Sequence, residues 1–201
     1  MRFYLGSIYV AIFVLTGCKA TQSPDLVDVE RAVPGVVLDI RYATTNNFTG
    51  QVLYPSSKCY LRSSTAQKLA HVQSQLRPMG LGLKVYDGYR PLSVQRKMWK
   101  VYPVPGYVAD PKRGSRHNRG AAVDLTLIHT NGTEVPMPSP YDSFTETAHR
   151  NTTNAPPEAL ANRDLLERVM VTNGFEGLPT EWWHFDDLDW RRYPLMDIIP
   201  Q

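Results

Sequence analysis

The chain has only two cysteines, Cys18 and Cys59. A cysteine-rich zinc site is therefore excluded, and any metal must be held by histidine and carboxylate. Basic residues form no run, and no nucleic-acid-binding motif is present. A net charge of +3 is too small and too scattered to address nucleic acid, so no such partner is expected. Internal repeats and low-complexity tracts are absent, as is any apolar run of the ~20 residues that a comfortable membrane helix needs. What remains is 201 residues, 42% of them apolar, enough for one domain around one core.

The first residues read as a leader rather than as part of the fold. Arg2 supplies a positive charge, Phe3 to Leu15 are almost entirely apolar, and Leu15-Thr16-Gly17-Cys18 follows. This ending resembles a bacterial lipobox. The resemblance implies a signal peptide over 1–17, cleavage before Cys18 and lipidation of that cysteine; an ordinary signal peptide ending near a cysteine is the alternative. Lys19, rather than aspartate, resembles an outer-membrane signal in a Gram-negative cell. Residues 18–34 would then be the lipidated cysteine and a polar tether, and 35–201 the folded domain. The expected location is the periplasm-facing cell envelope, with the membrane touched only through the lipid. Cys59 would have no disulfide partner.

Local patterns give the elements. Val36 to Arg41 alternates apolar and polar residues and predicts a strand. Ser64 to Leu76 carries helical spacing and ends near Pro78-Met79-Gly80. Leu81 to Tyr86 predicts a second strand, and Pro91 opens a helix from Leu92 to about Tyr102. A loop over 103–120 precedes a strong strand, Ala121 to Ile128. Residues 129–157 are irregular; a helix follows from Pro157 to Asn173, and a short final strand covers Trp182 to Phe185. Strands and helices mix without regular βαβ alternation, which gives the α+β class.

Two segments carry chemistry, Ser115-Arg116-His117-Asn118-Arg119-Gly120-Ala121-Ala122-Val123-Asp124 and Glu181-Trp182-Trp183-His184. A catalytic zinc takes three protein ligands and leaves one position for water. Gly120 lets the chain turn from loop to strand, so that His117 and Asp124 can face one metal, with His184 as third ligand. Asp124 places a charge inside an apolar strand, which demands a partner or a metal. Glu181, near the metal but not on it, can take a proton from water there. On a regular strand Glu181 and His184 would point to opposite faces, so Glu181 must lie in a turn before the strand. Taken singly, either histidine is more often a structural or surface residue, and the two tryptophans would most simply be core.

The segment SRHNRGAAVD resembles the Ser-X-His-X-X-Gly-X-Ala-X-Asp motif of the zinc D,D-peptidases related to VanX and VanY, and EWWHF resembles their Glu-X-X-His ending. RYATTNNFTG, VYDGYRP, AAVDLTL and GFEGLPTEWWHF are similar to stretches of D-alanyl-D-alanine dipeptidases in the same order, and the likeness covers roughly residues 35 to 190. It implies a hedgehog-like fold with a central, mostly antiparallel sheet and flanking helices. It also implies one zinc on His117, Asp124 and His184, Glu181 as general base and Arg90 as the group that stabilises the oxyanion. Ser115 would meet the substrate and Asp142 would hold its free amino terminus, in a small closed pocket that admits only dipeptides and has the 129–157 segment as wall or lid. The substrate-side tyrosine of the family falls near Tyr54-Pro55-Ser56. The implied reaction cleaves D-alanyl-D-alanine into two D-alanines. The rivals are a D,D-carboxypeptidase trimming stem peptides and a non-catalytic envelope protein that binds zinc or peptidoglycan.

Overall fold

The central strand shows how the sequence builds the molecule. In the computed structural model, which describes residues 25–200, the strand Ala122–His129 alternates Val123, Leu125 and Leu127 with Asp124 and Thr126. The apolar three join the core, and the polar pair face the opposite side. The other elements arrange themselves around this strand.

In chain order the fold begins with β1 (Leu26–Asp28), α1 (Val29–Ala32) and β2 (Val37–Leu38). β3 (Tyr60–Arg62) pairs antiparallel with β1 in a small separate sheet. Then come α2 (Ser63–Leu76), β4 (Leu81–Asp87), α3 (Leu92–Val101) and the central strand, β5. The chain closes with α4 (Pro157–Thr172), β6 (Phe175–Gly177) and β7 (His184–Asp187). The main sheet runs β2-β4-β5-β7-β6, and only the β2–β4 pair is parallel. This is the expected α+β domain with a mostly antiparallel sheet. α2 packs Ala66, Leu69, Val72 and Leu76 into the core at helical spacing.

Three expectations change in detail. The strand sought over Val36 to Arg41 shrinks to Val37–Leu38, because Arg41–Ala43 coil into a 3-10 turn. The last strand starts at His184 rather than Trp182, since the two tryptophans belong to a bend packed into the core. The tether reading of 18–34 does not hold from Leu26 onward. Val29 and Val33 are fully buried, and Leu26 lies against Gly120. The leader and Cys18 lie outside the described residues.

A chain cut to begin at residue 35 is therefore expected to melt well below one beginning at 25. It loses two buried valines, each worth about 1.5–3 kcal/mol, and the strand that covers β3. Equal melting temperatures for the two would restore the tether reading.

Candidate metal centre and active site

The sheet register fixes two of the metal-binding candidates. Asp124 in β5 and His184 in β7 are direct cross-strand partners, so both side chains leave the same face. His117 arrives from a 3-10 turn, His117–Arg119, that ends at Gly120 with φ +70°. A Cβ there would also meet Leu26 at 2.7 Å, so glycine serves both the turn and the contact. Asn118 and Arg90 then lock this turn to the start of α3. The Asn118 amide donates to the Arg90 carbonyl at 2.8 Å, and the Arg90 N–H donates to the His117 carbonyl at 3.1 Å.

His117 Nε2 lies 3.3 Å from Asp124 Oδ1, His184 Nδ1 lies 3.0 Å from the same oxygen, and the two nitrogens are 3.2 Å apart. Ligands about 2.0–2.1 Å from a tetrahedral ion are separated by about 3.3 Å. The three donors therefore sit close to the edge lengths of one tetrahedral face, and all three residues are buried. Their outer contacts choose the atoms that point inward. His117 Nδ1 is 2.7 Å from the Gly88 carbonyl, which leaves Nε2 for a metal. His184 Nε2 is 2.9 Å from Asp186 Oδ1, which leaves Nδ1. Tyr141 donates its hydroxyl to the second Asp124 oxygen at 3.1 Å. Burial opposes ionisation of Asp124, but the charge and hydrogen bonds of His117 and His184 hold it well below the usual carboxylate range. Burial works against charge on His184 too, yet Asp186 and Asp124 raise it to about 10. Without metal, His184 is then protonated at neutral pH. Metal uptake at pH 7 is expected to release at least one proton, from His184, with more from Glu181 as the cation lowers its pKa, read as a binding heat that varies with buffer ionisation enthalpy. Buffer-independent heats would contradict this.

Glu181 stands beside the trio rather than in it, with Oε2 3.9 Å from His184 Nδ1. It occupies the bend before β7, as its spacing from His184 requires. Burial chiefly, with Asp124 and Asp142 adding to it and His184 opposing, raises its carboxyl to about 8. Arg90 is clamped by Asp87, with Nε at 3.0 Å and Nη2 at 2.6 Å from Oδ2, while Nη1 donates to Gln95 at 2.8 Å. Its remaining N–H groups lie between Tyr54 and the cavity that Arg90 lines. The Asp87 carboxylate also neutralises the cation that would otherwise sit badly at the start of α3. Ser115 accepts the His117 N–H on its hydroxyl at 3.2 Å, so this serine shapes the turn as well as facing the cavity. Asp142 adopts φ +59° and accepts the Tyr42 hydroxyl at 3.1 Å. Burial first, then the charge of Asp124, pushes its carboxyl up to about 7.

One cavity of about 620 Å³ gathers all seven: Arg90, Ser115, His117, Asp124, Asp142, Glu181 and His184. Phe144 also lines it, so the irregular 129–157 segment does form a wall. The tyrosine expectation fails at Tyr54. That side chain is buried away from the cavity and donates to Asp87 at 2.7 Å, and the tyrosines that line the cavity are Tyr42 and Tyr107.

Comparison with known proteins gives the same answer from a different direction. The model of the peptidase family M15, D-ala-D-ala dipeptidase, matches residues 22–197. The chain belongs to this family. Among curated members, the M15 chain is 36% identical to the D-alanyl-D-alanine dipeptidase of Escherichia coli strain K12, over 88% of this chain and 91% of the relative. Its identity to the D-alanyl-D-alanine dipeptidase of Streptomyces coelicolor is 31%, over 80% of this chain and 90% of the relative. A solved structure of the VanY D,D-pentapeptidase in complex with Zn(II) is 16% identical, covers 69% of this chain and 78% of its own, and has a TM-score of 0.43.

Sequence reasoning missed several residues of the M15 site. Asp87 lies three positions before Arg90, a spacing that could have marked the pair. Asp186 lies two after His184, which on a strand means the same face. Asp87 is aimed by a bulge in β4, where the register shifts between Val85 and Asp87, and no sequence signal announces that. Tyr42 comes from the short 3-10 turn Arg41–Ala43 and Tyr141 from an irregular segment, and neither carries a periodic signal.

Proposed function

We propose that this chain is a zinc-dependent dipeptidase that hydrolyses D-alanyl-D-alanine to two D-alanines. The observation that carries the proposal is the placement of Glu181 and Arg90 beside the His117–Asp124–His184 trio in one cavity, with Asp142 in the same wall. Two imidazoles and one carboxylate at tetrahedral spacing suit zinc, with one position open. When bound, zinc supplies a Lewis acid and lowers the pKa of water at this point.

The chain's own groups do the rest. Asp142 pairs with the free ammonium of the dipeptide and sets the distance from that end to the scissile carbonyl. Glu181, a buried carboxyl tuned near neutrality, takes the proton of the attacking water. A cation held by the trio would draw its pKa down from about 8 toward the working range. As the carbonyl becomes tetrahedral, the remaining N–H groups of Arg90 meet the charge on its oxygen. Glu181 then gives its proton to the leaving amine, which departs as the second D-alanine.

The test is D-alanine release from D-alanyl-D-alanine by zinc-loaded protein, with a chelated control and a muropeptide ending in D-Ala-D-Ala alongside. Cleavage of the dipeptide alone, abolished by chelation, supports the reading. Cleavage of the muropeptide instead would favour a D,D-carboxypeptidase, for which a cavity of about 620 Å³ has room. Cleavage of neither would sink the substrate assignment.

Because Asp142 must be ionised to hold an ammonium, KM is expected to rise as pH falls through about 7. Burial is the main cause of that shift and persists with metal bound. Asp142→Asn removes a charge-assisted contact and should raise KM about 10–100-fold, with the acid rise in KM gone. A variant that keeps the wild-type KM profile would remove Asp142 from the ammonium site.

We also propose that Cys18 carries the lipid, supported by its Leu-Thr-Gly-Cys context. The mass of the mature chain, intact against Cys18→Ala, tests it.

A further inference from the structure

Glu181 and His184 serve one centre although a regular strand would separate them, so the chain between them must bend. Such a bend turns backbone carbonyls away from any strand partner, and buried carbonyls need donors. One side chain reaches four carbonyls of this stretch, two of which, Leu178 and His184, also accept backbone N–H groups. Arg150 follows the 3-10 turn Glu146–Ala148 and is not among the cavity-lining residues. Its Nη2 donates to the carbonyls of Glu181 at 3.0 Å, Trp182 at 3.3 Å and His184 at 2.9 Å. Its Nε donates to the Leu178 carbonyl at 3.3 Å. The backbone repeats the grip. The Arg150 N–H donates to the Pro179 carbonyl, and the Trp182 N–H to the Ala148 carbonyl, both at 2.9 Å.

This guanidinium is deeply placed, only 11% exposed, and lies 4.5 Å from the centre of the Phe185 ring. Among the described residues its Nη1 has no hydrogen-bond partner within normal geometry, and the Glu167 carboxylate faces it at 3.5 Å. A buried cation with so little charge compensation is costly. The backbone makes room for it, because a Cβ on Gly177 would come within 2.2 Å of the Arg150 Cζ.

We infer that Arg150 is a positioning residue: it holds the 178–184 bend, and through it sets Glu181 against His184. It touches neither substrate nor metal. Its kinetic consequence rests on the dipeptidase reading; its consequence for metal affinity does not.

Arg150→Ala is compared with the wild type in two measurements. Zinc affinity, by competition with a chromophoric chelator, is expected to fall about 10–100-fold. At saturating zinc, kcat for D-alanyl-D-alanine is expected to fall about 100-fold with KM little changed. Methylguanidinium in the buffer should restore part of both, and Arg150→Lys should not, because an ammonium lacks the planar fork that spans these carbonyls. Wild-type zinc affinity and kcat in folded Arg150→Ala, or losses that methylguanidinium leaves untouched, overturn the inference. If circular dichroism shows that Arg150→Ala does not fold, Gly177→Ala replaces it. That variant keeps the charge and crowds it off its carbonyls, so it should reproduce both losses; wild-type zinc affinity there overturns the inference equally. Failure of the wild type to cleave the dipeptide would remove the dipeptidase reading and leave the zinc measurement, which uses no substrate, to decide on Arg150.

Discussion

Glu181→Gln is expected to lower kcat about 1,000-fold, within the range for loss of a general base, with one zinc still bound per chain and KM little changed. Glutamine keeps the shape of the side chain and the packing of the bend. It cannot accept the proton of water or return one to the leaving amine. The same substitution should not harm the fold. Burial raises the Glu181 carboxyl to about 8, well above its value in the unfolded chain. The sign then follows. A raised carboxyl favours folding below the unfolded pKa, near 4.5, and that contribution is lost as pH rises toward 8. Metal-free Glu181→Gln should thus melt at least as high as metal-free wild type at pH 8, and the gap should close toward pH 5. Loss of activity with equal or greater stability would be the mark of a residue kept for chemistry. An active Glu181→Gln enzyme would end the general-base assignment.

Arg90→Met is expected to fail in two ways that can be separated. Losing the oxyanion contact should lower kcat about 100–1,000-fold. Losing the guanidinium also strands Asp87, which has no exposure to solvent and is left with the Tyr54 hydroxyl and the Gly88 N–H. Breaking a buried pair from one side costs about 3–5 kcal/mol. The double variant Arg90→Met/Asp87→Asn removes the stranded charge, so it should regain most of the stability and none of the activity. Thermal melts and kcat on the four proteins of this cycle give the answer. Recovery of activity in the double variant would mean that Arg90 acts only by neutralising Asp87.

Part of the site was legible as exceptions to local pattern, while Arg90, Ser115 and Asp142 were marked only by the family resemblance. Asp124 interrupts an apolar strand, Gly120 marks a turn that no other residue makes cheaply, and Glu181 and His184 stand at a spacing that a strand forbids. What supports them was not legible. The clamp on Arg90 depends on a bulge in β4, and the outer contact of His117 is a backbone carbonyl, at Gly88. Such features arise from long-range packing, which leaves no period in the sequence. The same holds at the start of the fold. Leu26 to Val33 are rich in apolar residues (Leu26, Val27, Val29, Ala32 and Val33) but split between a three-residue strand and a four-residue helix, each too short to show a period, and their burial depends on β3 and Gly120 arriving from elsewhere in the chain.

That early start of the fold shortens the leash. With a lipid on Cys18, only residues 19–24 lie between the anchor and Asp25, the first described residue. Fully extended, that stretch spans at most about 25 Å, less than the ~30 Å hydrocarbon thickness of a bilayer. If Cys18 carries the lipid, the domain would be held within about that distance of the membrane surface, and freeing it by Cys18→Ala would change where the enzyme works without changing its kinetics.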